Sequence, residues 1–194
     1  MGLAVMIAGL VLFFAPHILT SRRDLRAQVI VRWGEGPYKL VYSLVSAAGL
    51  VLIGWGFAEY RATGWIDVWY PPVAMRHIAL PLMLVSVIMI ASAYIRGRIY
   101  TTLKHPMLAG VKLWAVAHLL ANGDLGSIVL FGSFLAWAVY DRISLKRRSD
   151  PGTIPIPVGG VRNDAIAVAV GVAAYLGLVF VFHPYVIGVP VIGV

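Results

Sequence analysis

Five histidines, no cysteine and only 12% charged residues limit the chemistry open to this 194-residue chain. Without thiols there is no disulfide, no Cys-ligated zinc or iron–sulfur cluster and no thiolate-ligated haem. The sequence holds no H-E-x-x-H pair, no Ser/His/acid set, no P-loop and no dinucleotide fingerprint; Gly34-Glu35-Gly36 reads as a turn. What remains is imidazole set in apolar sequence. His17 lies in Phe14-Ala15-Pro16-His17, about one turn before Arg22-Arg23, and His118 lies in Leu113-Trp114-Ala115-Val116-Ala117-His118. Gly110, Trp114 and His118 follow one another at i, i+4 and i+8, so they share a helix face. That stripe offers a gap, an aromatic wall and an imidazole, which suits a flat macrocycle whose iron takes a histidine from each side. The plainer reading has each imidazole hydrogen-bonded to a neighbouring carbonyl or seated among headgroups.

Other polar residues have competing roles. Lys112 is the one cation well inside an apolar stretch; it either meets an anion such as a haem propionate or snorkels to the near face. Asp124 either caps the helix that follows it or orients His118. His77 and His183 fall at the ends of apolar stretches, where an interfacial role is the simple one. His105 precedes Pro106 at the entry to a helix and is a candidate for catalysis or ligation.

These residues need elements to position them, and the composition dictates which kind. With 60% hydrophobic residues and a mean hydropathy of +0.87, the chain is far from the roughly 25% charged content of a soluble domain. Six apolar stretches stand out, at about 2–20, 38–58, 77–95, 107–121, 125–140 and 165–182, the last with Asn163 or Asp164 as its cap. They predict an all-α polytopic membrane protein, a bundle of six transmembrane helices forming a single domain over 1–194. The net charge of +8 marks topology rather than nucleic acid: twelve cations fall in the breaks after the first, third and fifth stretches, against Arg61 and Arg76 in the alternate ones. Loops rich in Lys and Arg stay cytoplasmic, so both termini are expected on the periplasmic side of a plasma membrane. Small residues at helical spacing, Ala167/Gly171 and Gly132/Ala136, are expected at helix contacts. Trp65, Trp69, Tyr70 and Tyr100 are expected at the membrane boundary, and Asp150–Gly160, with Pro151, Pro155 and Pro157, reads as an extended linker.

The run His105-Pro106-Met107-Leu108-Ala109-Gly110-Val111-Lys112-Leu113-Trp114-Ala115-Val116-Ala117-His118, followed by Asn122-Gly123-Asp124, resembles the NnrU family. Phe131-Gly132-Ser133-Phe134-Leu135-Ala136-Trp137-Ala138 with Asp141-Arg142 extends the likeness. So does His17 followed by Arg22-Arg23-Asp24 and Tyr38. On these motifs the resemblance spans about residues 1–150 and leaves the last stretch outside. It implies a multi-pass inner-membrane protein associated with nitrite and nitric oxide reduction, related to the haem-dependent zeta-carotene isomerase. Carried over by motif, His17 and His118 become the ligands of haem b and His105 the further histidine of the His-Pro motif; Trp114 and Gly110, on the His118 face, and Lys112 would then line the cofactor. Ala115 stands where the isomerase has a cysteine, and no histidine follows in the next stretch, so the isomerase reaction is not inherited automatically.

The expected function is a redox-dependent isomerase of an apolar polyene-like substrate that enters from lipid, served by a membrane redox partner. The alternative is a non-catalytic accessory or assembly factor for membrane nitrite or nitric oxide reduction. A transporter fits less well, because acid–base pairs inside the spans are nearly absent. Depth raises a difficulty for the ligand pair. Thirteen residues separate His105 from His118, a rise of about 19.5 Å, which puts His118 at the end opposite His17. On depth alone His17 pairs more easily with His105, and His118 with His77 or His183.

Overall fold

The computed structural model describes residues 1–147 and 156–192. The chain is all-helical over these residues, and its only β pairing is an isolated bridge between Asp67 and Asp124. The helices are α1 (Gly2–Ser21), α2 (Arg23–Trp33), α3 (Glu35–Thr63), α4 (Val73–Tyr94), α5 (Arg98–Leu103), α6 (Pro106–Ala121), α7 (Leu125–Lys146) and α8 (Val161–Gly177), which continues in π register through Leu178–Ile187. Five are long and apolar enough to cross a membrane: α1, α3, α4, α7 and the continuous Val161–Ile187 helix. The sixth, α6, has 16 residues, about 24 Å of rise against a hydrocarbon core of about 30 Å.

All six expected stretches are helical, with differences at their ends. Breaks in hydropathy are not breaks in the backbone: the stretches 21–37 and 96–105 contain the short helices α2 and α5. Helix α2 buries no residue and exposes Leu25, Val31 and Trp33 between its arginines. The last helix starts at Val161 with Gly160 as its cap, so Asn163 and Asp164 do not cap it as expected. The Asp164 carboxylate instead accepts the N–H groups of Arg98 and Ile99, each at 3.0 Å, and so caps α5. Asn163 Nδ2 donates to the Arg96 carbonyl at 2.9 Å. Part of the expected linker, Asp150–Pro155, lies outside the described residues, and Ile156–Gly160 is non-helical.

The chain forms two compact units, one from Met1–Tyr70 and Asn122–Ser149, the other from Pro71–Ala121 and Asp150–Val194. In the first, α1 packs along α3 on a seam of glycines spaced seven apart, Gly2 and Gly9 facing Gly49 and Gly56. A Cβ at Gly9 would stand 2.7 Å from the Ile53 nitrogen, and one at Gly49 2.7 Å from the Phe13 nitrogen. Lipid gives helices no hydrophobic reason to associate, so such close backbone approach is what holds them. The 64–70 loop is clasped to the turn before α7: Val68 and Trp69 donate to the Gly123 carbonyl, and Leu125 donates to Ile66. Tyr60, 1% exposed, anchors this clasp by accepting the Ile66 N–H and donating to the Ile66 carbonyl. Beside it, the Asp67 carboxylate accepts from Tyr70 and holds that phenol above its ordinary pKa.

In the second unit, α6 and α8 both dock on α4. Gly110 of α6 is buried there, where a Cβ would lie 2.7 Å from Ile90 Cγ1, and its carbonyl accepts from Ser86 Oγ at 2.7 Å. Ala167 and Gly171 of α8 are buried, the latter against Ile88, as their spacing predicted. Gly132 differs: a Cβ there would meet no described atom within 4 Å, and Ala136 is exposed. The expected contact at that pair is therefore absent among the described residues; the glycine seam of α1 and α3 carries that packing instead.

Candidate functional site

His17 and His118 fall in different units, each on an apolar helix and each half-buried. In the first unit His17 Nδ1–H donates to the Phe13 carbonyl one turn back, at 2.6 Å. A carbonyl can only accept, so this bond fixes the proton on Nδ1 and leaves the lone pair on Nε2. The ring stands among aromatic side chains of three helices, with centroids 4.3 Å from Phe13, 5.1 Å from Tyr42 and 5.4 Å from Trp137. Three polar atoms of the first unit, Ser46 Oγ, Asp124 Oδ2 and Trp137 Nε1, are buried with no hydrogen-bond partner among the described residues. Ser46 lies one turn beyond Tyr42 on α3. Toward the end of α1, Ser21 Oγ donates to Asp141 Oδ1 at 2.7 Å, tying α1 to α7. A cavity of about 320 Å³ is lined by Ser21, Tyr140, Ile143, Ser144 and Arg147.

The second unit repeats the device. His118 Nδ1–H donates to the Trp114 carbonyl at 2.9 Å, and the Trp114 ring lies 5.2 Å away. A second imidazole faces it: the His183 ring centre is 6.2 Å from that of His118, with 24° between the planes. His183 Nδ1–H donates to the Leu178 carbonyl, five residues back, at 2.9 Å. That reach belongs to the π register of Leu178–Ile187, which contains Pro184. Proline lacks the N–H that α register needs and crowds the preceding turn, and π turns are a recognised way to absorb such a break.

The remaining residues are placed as follows. Trp114 flanks His118 as its spacing predicted. Gly110 admits α4 rather than a ligand-sized gap, since its missing Cβ is where Ile90 and Ser86 approach. Lys112 is half-buried on α6. His105 is half-buried at the head of α6, where its carbonyl accepts the Ala109 N–H at 3.1 Å. His77 is exposed. Asp124 takes the first of its two expected roles: its Oδ1 accepts the Ser127 N–H at 2.8 Å and caps α7.

The family model described as NnrU protein matches residues 5–191. The chain belongs to the NnrU family. The match takes in α8 and its π extension, so the last helix is part of the family's body and not an addition to a 1–150 core. No curated protein and no solved structure matches the chain. Sequence reasoning singled out His17, His118 and Trp114 in this NnrU chain, held Trp137 only as part of a family motif, and missed Tyr42 and Ser46, whose spacing looks like ordinary helix packing. It held His183 only as one of two depth partners for His118.

The donor set can be tested against a haem. Among the described residues, no group of three or more His, Asp or Glu side chains is arranged to hold a bare metal ion. A porphyrin supplies four nitrogens itself and asks the protein for one or two imidazoles in an apolar wall. Imidazoles fixed by Nδ1–H to carbonyl bonds, with aromatic neighbours, meet that requirement.

Proposed function

We propose that this NnrU-family protein binds haem b within the bilayer and acts as a redox-dependent isomerase of an apolar, polyene-like substrate. The observation that carries the proposal is His118: an imidazole on an apolar helix, its Nδ1–H bound to the Trp114 carbonyl and its ring beside the Trp114 indole. His118 would hold the haem iron, and the family resemblance offers His17 for the same task. When bound, haem supplies an iron that can change its charge by one electron in a low-dielectric site.

The chain's own residues do the rest. The carbonyls of Phe13 and Trp114 hold the two rings in the tautomer that presents Nε2. Phe13, Tyr42 and Trp137 around one ring, and Trp114 beside the other, keep water out. Lys112, half-buried on α6, is the cation available to an acidic group of the cofactor or substrate. His105, next to Pro106, is the imidazole offered for proton transfer at the mouth of that helix. An apolar substrate reaches such a site laterally, since the helices carry large apolar side chains on exposed faces, among them Leu44, Trp55 and Phe180. The reaction needs a membrane redox partner in the plasma membrane, with both termini of the protein on the periplasmic side.

The protein purified in mild detergent is expected to show a stoichiometric b-type visible spectrum, oxidised and reduced, that is lost in His118→Ala. A folded, colourless protein would refute haem binding and leave the non-catalytic accessory role in nitrite or nitric oxide reduction. Turnover of a candidate polyene by the reduced protein is the separate test of the isomerase step.

A further inference from the structure

The cavity of the first unit has a chemistry of its own, apart from the histidines. We propose that it binds a phosphate group, carried by an anionic lipid or by a free phosphate. The cavity lies where α1 and α7 end together: Ser21 is the last residue of α1, and Arg147 is the C-cap of α7. It measures about 320 Å³ and is lined by Ser21, Tyr140, Ile143, Ser144 and Arg147. Ligand pockets run from about 300 to 1,000 Å³, so this one has room for a head group and not for a whole lipid.

Its polar lining consists of three hydroxyls and one guanidinium. Hydroxyls turn to suit their partner, and the guanidinium fork matches two oxygens of a phosphate at once. Arg147 is the one formal charge among the lining residues. The carboxylate of Asp141 accepts the Ser21 hydroxyl at 2.7 Å and does not line the cavity. Ser21 is 8% exposed, and its carbonyl lies 3.4 Å from Ser144 Oγ, so two bonds between α1 and α7 hold the wall in shape. The remaining wall is apolar and open. Tyr140 and Ile143 are exposed, which gives an acyl chain a surface to follow away from the head group. The same stretches of chain carry Arg22 and Arg23 just after Ser21, and Arg142 and Lys146 just before Arg147. Basic pockets between helices at a membrane surface are places where anionic head groups collect.

The test uses the full-length protein in mild detergent, with lipid retention read by native mass spectrometry. Dioleoyl phosphatidylglycerol is expected to be retained and dioleoyl glycerol, which lacks the phosphate, to be lost. Arg147→Gln is expected to weaken retention about tenfold or more. Ser144→Leu, which fills the cavity and keeps the cation, is expected to do the same, whereas Lys146→Gln, outside the lining, is expected to retain the lipid. Melting curves of the variants separate lost binding from lost fold. Displacement of the lipid by equimolar inorganic phosphate would assign the site to the free anion, and its failure to compete would assign it to the lipid. Equal retention of the two lipids would overturn the inference. So would unchanged retention in Arg147→Gln, or an equal loss in Lys146→Gln, which would mean diffuse attraction to a basic surface rather than a site.

Discussion

Asp124 shows how a single side chain can be read two ways and then separated by measurement. It is 1% exposed; Oδ1 caps α7 through Ser127, while Oδ2 is buried with no hydrogen-bond partner among the described residues. The cap is worth about 1 kcal/mol, whereas an uncompensated buried carboxylate oxygen costs free energy. Asp124→Ala is therefore expected to destabilise the protein by about 1 kcal/mol. Asp124→Asn, which keeps a capping oxygen and removes the charge, is expected to be at least as stable as the parent. Thermal unfolding of both variants in one detergent decides it, and an Asn variant as weak as Ala would show that the charge itself matters. Tyr60 is a second such case. Its hydroxyl accepts from Ile66 N–H at 3.1 Å and donates to the Ile66 carbonyl at 3.3 Å, so Tyr60→Phe should cost about 1–2 kcal/mol by the same measurement.

At the scale of elements, glycines divide into those that admit a neighbouring helix and those that do not. Gly49 admits α1, whereas Gly132 faces no described atom within 4 Å of a Cβ. Gly49→Leu drives side-chain atoms into the α1 backbone and is expected to cost 1–3 kcal/mol or more, through overpacking. Gly132→Ala is expected to be neutral or to add up to about 1 kcal/mol from helix propensity. Paired melting curves check this; equal losses at the two positions would mean that the α1–α3 seam does not hold the unit. Sequence spacing alone could not make the division, because a glycine on a helix looks the same whether another helix or lipid lies opposite. Helix α2 is an element of another kind. It buries no residue, and it exposes Leu25, Val31 and Trp33 alongside its arginines. Brominated lipids are accordingly expected to quench Trp33 in a protein whose other tryptophans are replaced by Phe.

At the scale of the whole molecule, the charge pattern makes a topological prediction. Twelve of the sixteen Lys and Arg residues lie in the breaks after the first, third and fifth apolar stretches. Alkaline phosphatase fused to either terminus is expected to be active, and the same reporter inserted in the 148–155 stretch inactive. The reverse pattern would turn the molecule over in the membrane, with the helices unchanged.

The sequence by itself determined the class of molecule, the number and place of its apolar helices and the family, because hydropathy, cation spacing and the His-Pro to His run are properties of residues in order. It also placed the Asp124 cap among two roles and the Ala167/Gly171 contact. Tertiary structure alone decided that Asp164 caps α5 rather than its own helix, and that Gly110 meets α4. It likewise set His183, 65 residues further along, beside His118. Each of these depends on which helix lies opposite. In lipid, that choice is made by shape and close approach, which leave almost no trace in the order of apolar residues.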